Sequence, residues 1–283
     1  MKAKDLIPVL LVNACLVLSP MAQAVLPPPE GGYPGGNTAE GQAALFTLTT
    51  GTFNTAVGFF SLRSNTDSSF NTAIGSGALF ANTAFNNTAT GAGALLSNNT
   101  GEENTANGAF ALFSNTEGLF NTGVGAFALH GNTTGSQNTA VGNSALVTNT
   151  EGRFNTATGD LALFDNTIGD DNTANGESTL GNNTEGNFNT AIGCRALATN
   201  TTGDSNTAVG RNALSAGTSG NSNVAIGAGA GSQVTTASDV ICIGTDVGGA
   251  NVDNSCFIGN IHDAAVAVMT KDRLIRNPKH PSD

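Results

Sequence analysis

The chain has no tryptophan and one tyrosine, and Asp, Glu, Lys and Arg together make only 11% of it, against about 25% in an average domain. A thick aromatic-centred globular core is therefore not expected. Lys and Arg number 10 against 21 acidic residues, for a formal charge of −11. That balance leaves no basic footprint for nucleic-acid phosphates and none for anionic lipid. The three histidines, His130, His262 and His280, stand far apart without metal-ligand spacing, which excludes an ordinary zinc site. No G-x-S-x-G elbow accompanies any serine. The glycine-rich run Gly227 to Gly231 lacks the Lys-Ser/Thr of a phosphate loop. The acidic pairs Asp170-Asp171 and Glu102-Glu103 read as solvated corner residues. No catalytic, cofactor-binding or metal-ligating residue is assigned, and the chain is not expected to be an enzyme.

What is present is repetition. A glycine closes each Asn-Thr-Ala-Val-Gly-like segment at 58, 75, 91, 108, 125, 142, 159, 176, 193, 210, 227 and 244, at intervals of 17 with one of 16. A leucine follows four residues later in most units, from Leu62 to Leu214, and a second Asn-Thr comes next, as at Asn65-Thr66 and Asn149-Thr150. Fixed self-similarity of this length means stacked units that touch only their neighbours. Each unit holds two glycines and several Asn and Thr, which are poor helix formers but suit left-handed corners. The predicted fold is all-β: a parallel β-solenoid of 17-residue coils, each with two short strands and two corners. Coils in register about 4.8 Å apart would form a rod about 60 Å long.

Alternation places Asn54, Ala56 and Gly58 on one face of the strand and Thr55 and Val57 on the other. Identical asparagines stacked along the axis can form hydrogen-bonded ladders. The alanine position hardly varies, which suggests close approach of another backbone. The β-branched position is polar at Thr90, Asn107, Thr158 and Asn175, in two adjacent pairs. Phenylalanine recurs before the unit asparagine (Phe53, Phe70, Phe120, Phe154, Phe188) and near the leucine (Phe59, Phe60, Phe80, Phe110, Phe113, Phe164). A coil of 17 residues cannot bury all of these, so self-association or a sticky partner surface is expected.

Four segments are expected. Residues 1–24 have the anatomy of a cleaved signal peptide: Lys2 and Lys4, an apolar run from Leu6 to Leu18, then Ala22-Gln23-Ala24. A lipobox-like reading of Val12 to Cys15 fits less well, because the apolar run continues past Cys15. Removing 24 residues leaves 8 basic and 20 acidic residues, a charge of 8 − 20 = −12. Residues 25–36 form a Pro/Gly-rich lead-in and 37–260 the repeat array. Residues 261–283 are a non-repeat tail that reads as a junction to something further, with a short helix from Ala264 to Ile275 or a frayed end. No transmembrane segment is expected after signal removal, and the chain is expected to be secreted or at the cell surface. Cys194, Cys242 and Cys256 are odd in number. Cys242 and Cys256 fall on opposite strand faces, so a bridge between them is disfavoured. Asn86, Asn98 and Asn182 formally read as N-glycosylation acceptors, as by-products of the repeat.

The stretch Asn223-Val224-Ala225-Ile226-Gly227-Ala228-Gly229-Ala230-Gly231 resembles the head repeat of trimeric autotransporter adhesins. The units Asn138 to Gly142 and Asn206 to Gly210 are similar to its longer cousin in tail-fibre-like surface proteins. The resemblance spans residues 37–260, with a unit longer than the family's shorter repeat. It implies a left-handed parallel β-roll, three chains together, and adhesion to a host surface or matrix. On this reading the protein is an exported adhesin or fibre-like structural protein acting through many weak contacts. The alternatives are a passive spacer, or a protein binding ice or another crystal surface through its Thr-rich face. Against the latter, the repeat offers Thr once per strand rather than as a Thr-x-Thr pair.

Overall fold

A computed structural model describes residues 33–259 and the backbone of 269–270. The expected export signal and most of the lead-in lie outside the described residues, as does most of the expected helix from Ala264 to Ile275, but within that span Met269–Thr270 forms a strand rather than a helical turn, because its backbone pairs with Ser255 and Cys256. A short 3-10 turn, Pro34–Gly36, leads into the array. Fifteen strands then form one sheet in sequence order: β1 (Thr38–Glu40), β2 (Thr55–Val57), β3 (Thr72–Ile74), β4 (Thr88–Thr90), β5 (Thr105–Asn107), β6 (Thr122–Val124), β7 (Thr139–Val141), β8 (Thr156–Thr158), β9 (Thr173–Asn175), β10 (Thr190–Ile192), β11 (Thr207–Val209), β12 (Val224–Ile226), β13 (Ile241–Ile243), β14 (Ser255–Ile258) and β15 (Met269–Thr270). Strands β1 to β14 are parallel, and from β1 to β13 every residue pairs with its equivalent one coil away, as Thr139 with Thr156. Only β15 runs antiparallel. The fold is an all-β parallel solenoid of 17-residue coils.

One expectation is corrected. Among the described residues each coil has one three-residue strand, not two. The opposite limb is a run of tight turns. In one coil Gly75 accepts from the N–H of Ala78, Gly77 from Phe80 and Leu79 from Asn82, at 3.2–3.3 Å. The cause is backbone sign. The second and fourth residues after the unit glycine are left-handed, so this limb cannot extend. The core leucines themselves have φ between 47° and 54° from Leu62 to Leu214. Left-handed Leu is costly, by roughly 1–2 kcal/mol. The cost is offset because each of these side chains is almost fully buried, worth about 1.5–3 kcal/mol. Each leucine N–H also donates to the next coil, as Leu62 to the Ala78 carbonyl at 3.0 Å.

The interior is narrow. Strand alanines Ala56 to Ala225 and the leucine column fill it, so the alanine position is constant because it points into the core. Gly123 alone breaks the column within β2 to β12. A methyl there would stand 3.2 Å from the Ala128 carbonyl oxygen and 3.5 Å from Leu112 Cγ. Gly123→Ala is expected to raise stability by about 0.5–1 kcal/mol by restricting the unfolded chain. A higher urea midpoint with unchanged slope would show it, and a lower one would refute it.

Two asparagine columns line the corners. In the first, from Asn37 to Asn223, each Oδ1 accepts the backbone N–H of the next member at 2.8–3.0 Å. In the second, Asn98, Asn115, Asn132, Asn149, Asn166, Asn183 and Asn200 each donate Nδ2 to the previous member's Oδ1 at 2.7–2.8 Å. Both columns converge on one carbonyl per coil: Asn121 and Asn132 both donate to Gly135, at 2.8 and 2.9 Å. The second column is broken at the 16-residue coil from Gly75 to Gly91. There Asn82 Nδ2 keeps its corner bond, to the Ala84 carbonyl, but does not reach Asn65 Oδ1. Asn65 Oδ1 and Ser68 Oγ are left buried without a partner.

Candidate functional site

The sequence named no site residue, and the structure gathers its charged groups on corners rather than into a cleft. Asp170 lies where its Oδ1 accepts the Arg153 N–H at 2.6 Å, and Asp171 occupies an exposed left-handed corner. Glu103 holds the equivalent corner in an earlier coil. His130 stacks on Phe113, with ring centroids 5.1 Å apart, and burial lowers its pKa. His262 and His280 lie outside the described residues. Cys242 takes an interior alanine position. Burial first, and then Cys256, raise its thiol pKa to about 11. Cys256 pairs in register with Ile241 rather than Cys242, and all three described cysteines are free. Asn98 is buried in the ladder and Asn86 and Asn182 are exposed. No helix among the described residues is long and apolar enough to cross a membrane.

Apart from Phe257 in β14, the phenylalanines lie off the sheet. Phe53, Phe70, Phe120, Phe154 and Phe188 sit exposed at left-handed corners, and Phe53 stacks on Phe70 at 5.4 Å. Nearer the leucine limb, the Arg63 guanidinium lies over Phe60 at 4.8 Å and over Phe46 and Phe80 at 5.8 Å. A shallow hollow of about 250 Å³ follows on that limb, lined by Leu161, Phe164, Ser178, Arg195 and Ala198.

The outer sheet face is the feature of greatest extent. From β2 to β13, the first and third residues of every strand point outward and the middle one inward. The first residues form a straight row of Thr from Thr55 to Thr207, completed by Val224 and Ile241. The third form a row of Val, Ile, Thr and Asn. This explains the polar members at Thr90, Asn107, Thr158 and Asn175: the whole row faces solvent, and even Ile226 is 44% exposed. Strands β4 and β8 do carry the Thr-x-Thr pair that the repeat reading did not anticipate. None of these outward side chains is ionisable and none is aromatic. Exposed acids such as Glu117, Glu151 and Glu185 stand on a corner instead.

The threonines divide into two kinds, which sequence reasoning missed. Corner threonines donate to the coil ahead: Thr133 to the Thr150 carbonyl at 2.9 Å, and Thr150 to Thr167 at 3.0 Å. Among the described residues, the strand hydroxyls from Thr55 to Thr207 have no protein partner. No protein-family model, no curated protein and no solved structure matches the chain.

Proposed function

We propose that this is an exported, rod-shaped surface protein, an adhesin or fibre-like structural module, that holds partners by many weak contacts along its outer sheet face. The observation that carries the reading is the uninterrupted, uncharged row structure from β2 to β13. Repetition of one weak site along a stiff rod gives strength through effective concentration rather than through any single contact. The signal-peptide-like sequence of residues 1–24 and the resemblance of Asn223 to Gly231 to an adhesin head repeat support the same reading. The exposed corner phenylalanines, Phe53 and Phe70 in adjacent coils and Phe120, Phe154 and Phe188 in alternate ones, support association of copies, a trimer by the resemblance, because exposed apolar side chains are favourable contacts for a second chain.

Beads coated with the mature chain test this under flow over matrix-coated and polysaccharide-coated surfaces. Wild-type beads are expected to resist detachment, and Val124→Lys/Val141→Lys beads to detach readily. Ready detachment of the wild type as well would leave a passive spacer as the reading, and equal resistance by both would move adhesion off this face. Sedimentation equilibrium tests the association, and a monomer at high concentration would remove it.

A further inference from the structure

We infer that the outer sheet face binds the surface of ice. This rests on the reading that this face is the one the rod presents, and adds what it meets. Three observations narrow the partner. The strand threonine hydroxyls have no protein partner among the described residues, so a dry apolar partner would strip their water and return no hydrogen bond, at a cost for each group. The face has no ionisable side chain from β2 to β13, in a chain of formal charge −11. Charged polymers, salts and lipid headgroups thus find no complementary group. It also has no aromatic ring, although exposed phenylalanines stand elsewhere on the rod. A sugar surface that stacks on ring faces therefore finds no platform here. The face thus favours a partner that is uncharged, donates and accepts hydrogen bonds at every step, and is itself periodic.

Ordered water meets each condition. In-register pairing repeats the hydroxyls about every 4.8 Å along the axis; a second hydroxyl stands about 6.6 Å across the strand in β4 and β8, and elsewhere the second row is Val, Ile or Asn. The axial spacing is close to that of second-neighbour oxygens in the ice lattice. The methyls of Thr, Val and Ile order water around themselves, while the hydroxyls anchor it. The asparagine column immediately before the threonine row, Asn54 to Asn206, is buried and bonded coil to coil. The face is therefore already rigid, and little side-chain or backbone freedom is lost on docking.

The test is freezing hysteresis and recrystallisation inhibition by the mature full-length chain. A measurable hysteresis gap with faceted crystals is expected. Thr122→Tyr/Thr139→Tyr, whose rings would stand the lattice off, is expected to abolish it, and the corner variant Glu151→Lys to leave it unchanged. Circular dichroism confirms that each variant retains the fold. Absence of both effects in the folded wild type, or an unchanged gap in the tyrosine variant, would overturn the inference. The bead assay is run on ice-free surfaces, so its outcome reads the adhesin proposal separately.

Discussion

Gly159→Ala is expected to cost about 3–5 kcal/mol, the sum of a left-handed strain and an overpacking term. Gly159 has φ 131°, and a methyl there would stand 2.6 Å from the carbonyl oxygen of Gly176 and 2.7 Å from its carbonyl carbon. Neither obstacle is a movable side chain. The same glycine, with φ between 118° and 149°, recurs in every coil from Gly41 to Gly244, and its carbonyl meets its counterpart one coil away. Moving one glycine therefore displaces the next. Urea unfolding is the measurement. A loss below about 1 kcal/mol would mean that the coils yield more readily than native packing density allows. The opposite sign expected for Gly123→Ala makes the pair diagnostic: same substitution, same stack, but Gly159 is left-handed with backbone at 2.6 Å, whereas at Gly123 the nearest atom, a carbonyl oxygen, stands at 3.2 Å.

The second large effect is expected at Asn138. Its Oδ1 accepts the N–H of Asn155 at 3.0 Å and Asn155 Nδ2 at 3.2 Å. Its Nδ2 donates to the Gly152 carbonyl at 2.8 Å. Asn138→Ala leaves buried groups of two neighbouring coils without partners. The expected loss is about 2–4 kcal/mol, from a few stranded groups at about 1–3 kcal/mol each, less what relaxation recovers. Because each coil contacts only its neighbours, the loss is local, and the halves on either side are expected to unfold at separate midpoints. Calorimetry would resolve the two. A single transition within about 0.5 kcal/mol of wild type would contradict the ladder's contribution.

The 17-residue period made the coil, the division of each strand into an Asn/Ala face and a Thr/Val face, and the stacked asparagines legible, but not which of the two faces turns inward. These follow from repetition and strand alternation alone. The number of strands per coil was not legible. It depends on Leu62 and its equivalents adopting a left-handed backbone, which intrinsic preference disfavours and which only full burial of the side chain and a bond to the next coil sustain. The two kinds of threonine were hidden for a related reason. Thr133 and Thr139 follow asparagine alike, and only the path of the adjacent coil decides which hydroxyl finds a carbonyl. Since the candidate site consists of the hydroxyls that find none, the sequence showed the row but not that it is unpartnered.

The shortened coil between Gly75 and Gly91 gives the rod a seam. From Asn82 to Asn200 two side-chain rails run in parallel. The second is missing at the step from Asn65 to Asn82 and in the later coils, where Gly217 and Val234 take the asparagine position. A load along the axis is therefore shared over the middle of the rod and left to the first rail toward both ends.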